Sequence, residues 1–311
     1  MKGSFTVNKS VDIIENKNIF LGDTAENQRP GLAIFLSGGG SNAEKLLNDK
    51  SVLEAAEVKV LVTDAPEKSR AGIIARQHGL PVVEFSIREF YRNHGLKSIS
   101  LATEEGRRVR ELWTDELRKR LQPYKIDFAV LAGFEPLSNI TNDYPCLNVH
   151  PGDLSVVDSN GKRLYVGLHS RPVEAAILAG EKSLRASVII AQSFSDVNAD
   201  MDNGLLLGIS QEMPIDFQGM TLEELQQVKL NRPAQKPAGG WKDKLEALAL
   251  HSQEALKVCG DHIILPLVVR DFARKCFALQ AGKLYYRKDI SLPFQAVVSN
   301  EYAADGSRIL E

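Results

Sequence analysis

Asn148 and His150 stand two residues apart in Leu147-Asn148-Val149-His150-Pro151, at the end of an apolar run. Alternate residues of a strand project to one face, so a strand here sets a carboxamide beside an imidazole. The carboxamide offers N–H donors, and the imidazole holds a proton that moves near neutral pH. Such a pair suits a reaction in which a carbonyl oxygen becomes negative while a neighbouring nitrogen gives up a proton. Pro151 cannot donate to a ladder and ends the strand. The turn Ser37-Gly38-Gly39-Gly40-Ser41-Asn42 is a second chemical signal. It follows an apolar run and opens a helix, so its backbone N–H groups and the helix dipole make an anion site. Two readings of that site stand side by side. A single substrate phosphate would lie on Gly39, Gly40, Ser41 and Asn42, the last adding a side-chain donor. Alternatively, Gly38-x-Gly40-x-x-Ala43 satisfies a relaxed dinucleotide fingerprint with Asp64 placed for a ribose contact, which implies an NAD-binding oxidoreductase or binding module.

The elements that position these residues alternate. Strands are predicted over 31–36, 58–62, 81–85, 127–132 and 146–149, with helices over 41–48, 69–78 and 102–121 and a short one near 137–142. The long helix carries Val109, Leu112, Trp113, Leu117 and Leu121 at helical spacing. This order argues for an α/β fold, a Rossmann-like doubly wound and mostly parallel sheet. Beyond residue 150 come a polar loop to about 163, a helix over 171–179 and strand-like stretches over 185–194 and 205–213. A helix over 221–228 follows, opened by Thr221-x-x-Glu224, the pattern of a capping box. A Pro- and Gly-rich loop at 231–240 leads to Leu245, Leu248, Leu256 and Cys259, which share one face of a long C-terminal helix. That helix is expected to run past Pro266 to about residue 279, with a kink at the proline. The expected organisation is an extension at 1–30 outside the core, a catalytic domain at 31–290 with a mixed C-terminal part, and a tail at 291–311.

With 311 residues, 43% of them hydrophobic, the chain can bury a large core. A formal net charge of −2 gives no electrostatic case for nucleic acid or an anionic membrane. No apolar run is long enough to span a bilayer, and the first residues lack the apolar core of a secretion signal. Cys146, Cys259 and Cys276 are odd in number and lack metal-type spacing, and the His residues are scattered. A cytoplasmic protein without a metal site is expected.

Taken in order, the motifs resemble the folate-dependent formyltransferases, most closely the branch acting on glycinamide ribonucleotide. The matching pieces are the glycine turn, Val130-Leu131-Ala132-Gly133-Phe134, Leu147 to Pro151, Gly167-Leu168-His169, Asp200-Met201-Asp202-Asn203-Gly204 and Asp261-His262-Ile263-Ile264-Leu265-Pro266. The resemblance implies transfer of a formyl group from 10-formyltetrahydrofolate, as co-substrate, to the primary amine of a phosphorylated small molecule. Glycinamide ribonucleotide in purine biosynthesis is the foremost acceptor. It assigns Asn148, His150 and Asp202 to catalysis, with Asp261 and His169 beside the acceptor and Phe134, Glu135 and Leu137 beside the folate. It implies no metal, and a monomer or homodimer. Formyltetrahydrofolate hydrolysis, or another acceptor amine, is the alternative within the same chemistry. The chain departs from the pattern after Pro151, where Gly152-Asp153-Leu154-Ser155 and a polar insertion to about Arg163 replace a short apolar turn. Glu135-Pro136 is a second departure, and the front extension and the 231–240 loop have no counterpart.

Overall fold

The computed structural model describes residues 18–22, 28–194, 201–303, 305 and 308–310. In chain order the strands are β1 (Asn18–Ile19), β2 (Gly31–Phe35), β3 (Glu57–Thr63), β4 (Val82–Glu84), β5 (Phe128–Leu131), β6 (Cys146–His150), β7 (Ser183–Leu184) and β8 (Ser187–Ile190). They continue as β9 (Leu205–Ser210), β10 (Met213–Pro214), β11 (Phe277–Gln280), β12 (Lys283–Tyr286), β13 (Gln295–Val297), β14 (Asn300–Tyr302) and β15 (Arg308–Leu310). The helices are α1 (Ser41–Asn48), α2 (Lys50–Ala55), α3 (Ala71–His78), α4 (Ile87–Asn93), α5 (Glu104–Leu121), α6 (Arg171–Ala179), α7 (Leu222–Leu230), α8 (Lys244–Leu256) and α9 (His262–Ala273).

Among the described residues, nine strands form the central sheet in the order β15-β14-β9-β8-β6-β5-β2-β3-β4. From β4 to β6 every pairing is parallel, and β8 then runs antiparallel to both β6 and β9. The doubly wound, mostly parallel architecture expected from the alternation is the one observed. Chain order reverses direction between β2 and β5, the switch point where open α/β sheets bind ligands beyond their strand ends. Ser37 N donates to the Gly133 carbonyl there at 3.0 Å, tying the two ends together.

Each face of the sheet carries its own core. On one, Leu32, Ile34, Phe128 and Val130 pack with α1, α8 and α9 residues such as Leu46, Leu248 and Val268. On the other, Ala33, Phe35, Ala129 and Leu131 pack with Val109, Trp113, Leu117 and Leu121 of α5. Full burial of side chains of this size contributes about 2 kcal/mol apiece. The capping box at the start of α7 forms as predicted, with Thr221 and Glu224 each satisfying the other's backbone.

Three expectations are corrected. The C-terminal helix runs past Pro266 as expected, but through a π-helical turn, Lys257–Asp261, between α8 and α9, and it ends at Ala273, short of 279, with the chain a strand again by Phe277. A π-turn inserts one residue and rotates the helix beyond it by about a quarter turn. Cys259 is consequently exposed, while Gly260 and Asp261 turn inward. The front segment is not wholly outside the core: β1 pairs with β11, Leu21 is buried, and Phe20 stacks on Phe272 with ring centroids 5.6 Å apart. The stretch after residue 290 is not a loose tail either. β13 extends the antiparallel β1-β11-β12 sheet, and β14 with β15 adds to the central one.

Candidate active site

β6 ends at the carboxyl edge, with Asn148 opposite Leu131 of β5 and Ile189 of β8. Cys146 lies in the core on the α5 side, and the strand alternation turns Asn148 and His150 the same way. His150 is buried, and its Nδ1 lies 3.3 Å from Asp202 Oδ1. Its Nε2 donates to the Tyr165 carbonyl at 2.7 Å. A carbonyl only accepts, so that contact fixes a proton on Nε2 and turns Nδ1 to the carboxylate. Asn148 is half-buried beside the pair. The structure therefore brings together the imidazole and carboxylate that lie fifty residues apart in the chain, next to the carboxamide.

Asp202 sits in a short 3₁₀ turn, Met201–Asn203. Gly167 N donates to its Oδ2 at 2.9 Å, and Arg163 Nη1 donates to its backbone carbonyl. Burial pushes the carboxyl up, but the hydrogen bond and charge of His150, the Gly167 amide and Arg163 outweigh it, and the group lies below the usual aspartate range. The residues holding Asp202 come from the end of the polar insertion and just beyond. No spacing in the sequence marks them, because two of the contacts use backbone atoms. Asp200, part of the same motif, lies outside the described residues.

The glycine turn opens α1 as predicted. Gly40, its N-cap, has φ 74°, and a Cβ there would meet Ile74 Cδ1 at 2.5 Å and Leu36 Cδ1 at 2.9 Å, so both conformation and space demand glycine. Arg70 leans on the turn, its Nη1 3.4 Å from the Gly39 carbonyl and its Nη2 3.2 Å from Glu44. Asn42 is buried under the turn with its Oδ1 unpartnered. Asp261, delivered by the π-turn, is buried with an unpartnered Oδ1. Burial pushes its carboxyl up to about 7 against the opposing influence of Asn42, Lys257 and His150. Those influences place the acid, the turn and the His150–Asp202 pair in one neighbourhood. His169 is exposed with φ 57°, and no contact ties it to the pair.

On the α5 side of the edge, Phe134 is buried edge-on against Phe35, with centroids 5.2 Å apart. Glu135 donates its N–H to Ser37 Oγ at 2.9 Å, while its half-exposed carboxylate faces Lys68 at 3.2 Å. Leu137 and Glu135 line a cavity of about 440 Å³ with Ile87, Ile99, Asp64 and Arg110. Arg110 is buried, donating from Nε to the Tyr91 hydroxyl at 3.2 Å and from Nη1 to the Leu137 carbonyl. The sequence reading missed Arg110. Its signal was there: it lies three residues before Trp113 and seven before Leu117, an arginine on the apolar stripe of a helix. Asp64 is buried too, its Oδ1 accepting from Ser37 Oγ at 2.5 Å, and burial raises its carboxyl. An aspartate so engaged is not presented to a ribose, which counts against the dinucleotide reading. Among the described residues no group of three or more His, Cys, Asp or Glu could hold a metal ion, and no helix is long and apolar enough to cross a membrane.

Fold and site together define a protein with the formyltransferase fold. In sequence and fold it is like the phosphoribosylglycinamide formyltransferases. The chloroplastic phosphoribosylglycinamide formyltransferase of Arabidopsis thaliana is 32% identical over 196 residues, which are 61% of this chain and 57% of that protein. The match thus spans less than two thirds of the relative's length. The phosphoribosylglycinamide formyltransferase of Coxiella burnetii, solved in complex with CHES, superposes with a TM-score of 0.56 at 18% identity, covering 88% of this chain and 99% of that one. That of Anaplasma phagocytophilum gives 0.52 at 19% identity, covering 84% and 97%. No family model matches the chain.

Proposed function

We propose that this protein is a folate-dependent N-formyltransferase that moves a formyl group from 10-formyltetrahydrofolate to the primary amine of glycinamide ribonucleotide. The observation that carries the reading is the buried His150–Asp202 pair beside Asn148, at the edge that also bears the glycine turn. The Arabidopsis relative, named for that activity, supports it. The acceptor's phosphate would rest on the N–H groups of Gly39, Gly40, Ser41 and Asn42 at the start of α1, with Asp261 reaching its other end. A folate suits the α5-side cavity, whose apolar walls Leu137, Ile87 and Ile99 would flank an aromatic ring while buried Arg110 attracts a carboxylate.

The chemistry follows from the donors present. As the amine attacks the formyl carbon, the carbonyl oxygen gains charge, and the Asn148 amide is placed to donate to it. One such donor is worth on the order of 3 kcal/mol in the transition state. Asp202 holds His150 in a single orientation and stabilises its protonated form while the amine sheds a proton. That role contributes about two to four decades in rate. The adduct collapses by breaking the bond between the formyl carbon and N10, and that nitrogen takes up the proton, giving tetrahydrofolate and the formamide. Aligning donor and acceptor across the switch point supplies much of the remainder.

The test is an assay with 10-formyltetrahydrofolate and glycinamide ribonucleotide, following release of tetrahydrofolate. Turnover that requires both substrates is expected. Release without the acceptor would make the protein a hydrolase, and binding of NAD without binding of a folate analogue would defeat the reading altogether.

A further inference from the structure

Three alternate residues of one short run hold the His150–Asp202 pair. Arg163 Nη1 donates to the Asp202 carbonyl, the Tyr165 carbonyl accepts from His150 Nε2 at 2.7 Å, and Gly167 N donates to Asp202 Oδ2 at 2.9 Å. The accuracy with which the imidazole is placed therefore depends on what fixes this run. The side chains of Leu164 and Leu168 are exposed, whereas Tyr165 is buried at 4% exposure.

Tyr165 ties the run to the rest of the fold. Its phenol donates to Glu181 Oε1 at 2.5 Å. Burial first, then the hydrogen bond and charge of Glu181 and the charge of Asp153, raise the phenol above the ordinary tyrosine value, so it stays a donor. Glu181 follows directly on α6, whose buried Val173, Ala176 and Ile177 fix that helix to the core. Gly180 caps the helix with φ 81°, and Glu181 N donates to the Ala176 carbonyl at 3.1 Å. A rigid element thus reaches the imidazole through one side chain and one peptide group. Packing alone does not fix Tyr165, because a cavity of about 280 Å³ adjoins it, lined also by Gly152, Asp153, Glu181 and Arg185. Arg185 does not compete for Glu181; it faces Glu301 at 2.8 Å, Glu212 at 3.3 Å and Asp153 at 3.8 Å. Around the carbonyl itself there is no such room. A Cβ at Gly152 would lie 2.6 Å from the Tyr165 carbonyl oxygen and 3.0 Å from His150 Nε2.

We infer that Glu181 is a positioning residue for formyl transfer, acting through the Tyr165 phenol to place the carbonyl that holds His150. This rests on the catalytic role proposed for the His150–Asp202 pair. When the phenol loses its acceptor, the ring relaxes into the cavity beside it and the carbonyl moves with it. His150 then keeps Asp202 but loses its second fixed point, and the imidazole swings. Misplacing a group that acts as the proton moves costs rate, while the binding of either substrate is unaffected.

The test compares Tyr165→Phe, Glu181→Leu and Glu181→Gln in the full chain. Formyl transfer from 10-formyltetrahydrofolate to glycinamide ribonucleotide is followed at steady state, and ring proton–nitrogen spectra are recorded on histidine-labelled protein. The His150 signal is identified as the one lost in His150→Ala. Tyr165→Phe and Glu181→Leu should each lower kcat about tenfold, with both KM values within about twofold of wild type. Glu181→Gln keeps an acceptor oxygen and should restore kcat to within about threefold. The His150 Nε2–H signal, from a buried hydrogen-bonded proton, should be resolved in wild type and Glu181→Gln and should shift or exchange away in the other two. Tyr165→Phe combined with Glu181→Leu should be no slower than either alone, as for groups that act as one unit. Near-normal kcat in Tyr165→Phe and Glu181→Leu, a lowered kcat with the His150 signal unmoved, or Glu181→Gln as slow as Glu181→Leu would overturn the assignment. Wild-type protein that transfers no formyl group, with the His150 signal still dependent on Tyr165 and Glu181, would instead sink the proposed activity and leave the positioning of the imidazole standing.

Discussion

Asp202 and Asp261 are the same residue type, equally buried at 7% exposure, at the same edge of the same sheet. Their surroundings have opposite effects. Asp202 is met by His150 Nδ1 and Gly167 N, and its carboxyl falls below the usual range although burial alone would raise it. For Asp261 burial outweighs the Asn42 hydrogen bond and the charges of Lys257 and His150; one oxygen stays unpartnered, and the carboxyl rises to about 7. A charge whose partners are folded into the chain belongs to machinery that is ready beforehand. A carboxyl with one oxygen left unpartnered marks where the fold is completed by what it binds. The difference is in the partners as well as in the deeper setting of the Asp261 carboxyl.

The comparison can be broken at its stronger end first. Asp202→Asn and His150→Ala are each expected to lower kcat by about two to four decades, read by tetrahydrofolate release, because either removes the held, chargeable pair. Variants with near-normal kcat would dissociate this pair from the chemistry. Asn148→Ala should cost on the order of a hundredfold in kcat with the acceptor KM little changed, since its donor acts as charge develops. A rise in KM alone would assign Asn148 to ground-state binding. Arg110→Met should raise the folate KM about tenfold and leave the acceptor KM alone, a split that general loosening of the fold would not produce.

The smallest expected effect concerns stability. Asp261 has a folded pKa above its unfolded value, so its contribution is fully present below the unfolded pKa near 3.8 and is lost as pH rises through about 7. Asp202 is the reverse: its contribution is present above about 3.8 and is lost as pH falls through its lowered value. Asp261→Asn should therefore raise Tm by a few degrees at about pH 8 and change it little near pH 4. A Tm gain that is independent of pH would contradict the origin given for the shift.

Local patterns made much of this legible in the sequence. The alternation that named β2 to β6, the stripe that named α5, the Thr221–Glu224 cap and the glycine turn are all set by neighbours a few residues away. The pairing of His150 with Asp202 was reachable only through the resemblance, since nothing local links them. The π-turn was not legible, because its cause is tertiary: Gly260 packs against the sheet, and the apolar spacing of Leu248 and Leu256 predicts an unbroken face through Cys259. β1, β14 and β15 are two or three residues each and owe their form to the partner strands they lie against. Such short segments carry no periodicity of their own.

The placement of β14 has a consequence for how the chain behaves in the cell and on the bench. It covers the flank of β9, its Asn300 Nδ2 donating to the Leu207 carbonyl at 3.1 Å and its Tyr302 hydroxyl to Asp271 at 3.0 Å. A chain clipped by a protease just before Asn300 would leave the ladder of Leu205–Ser210 open to any passing strand. Such an open margin invites self-association. β14 thus acts as a guard against clumping.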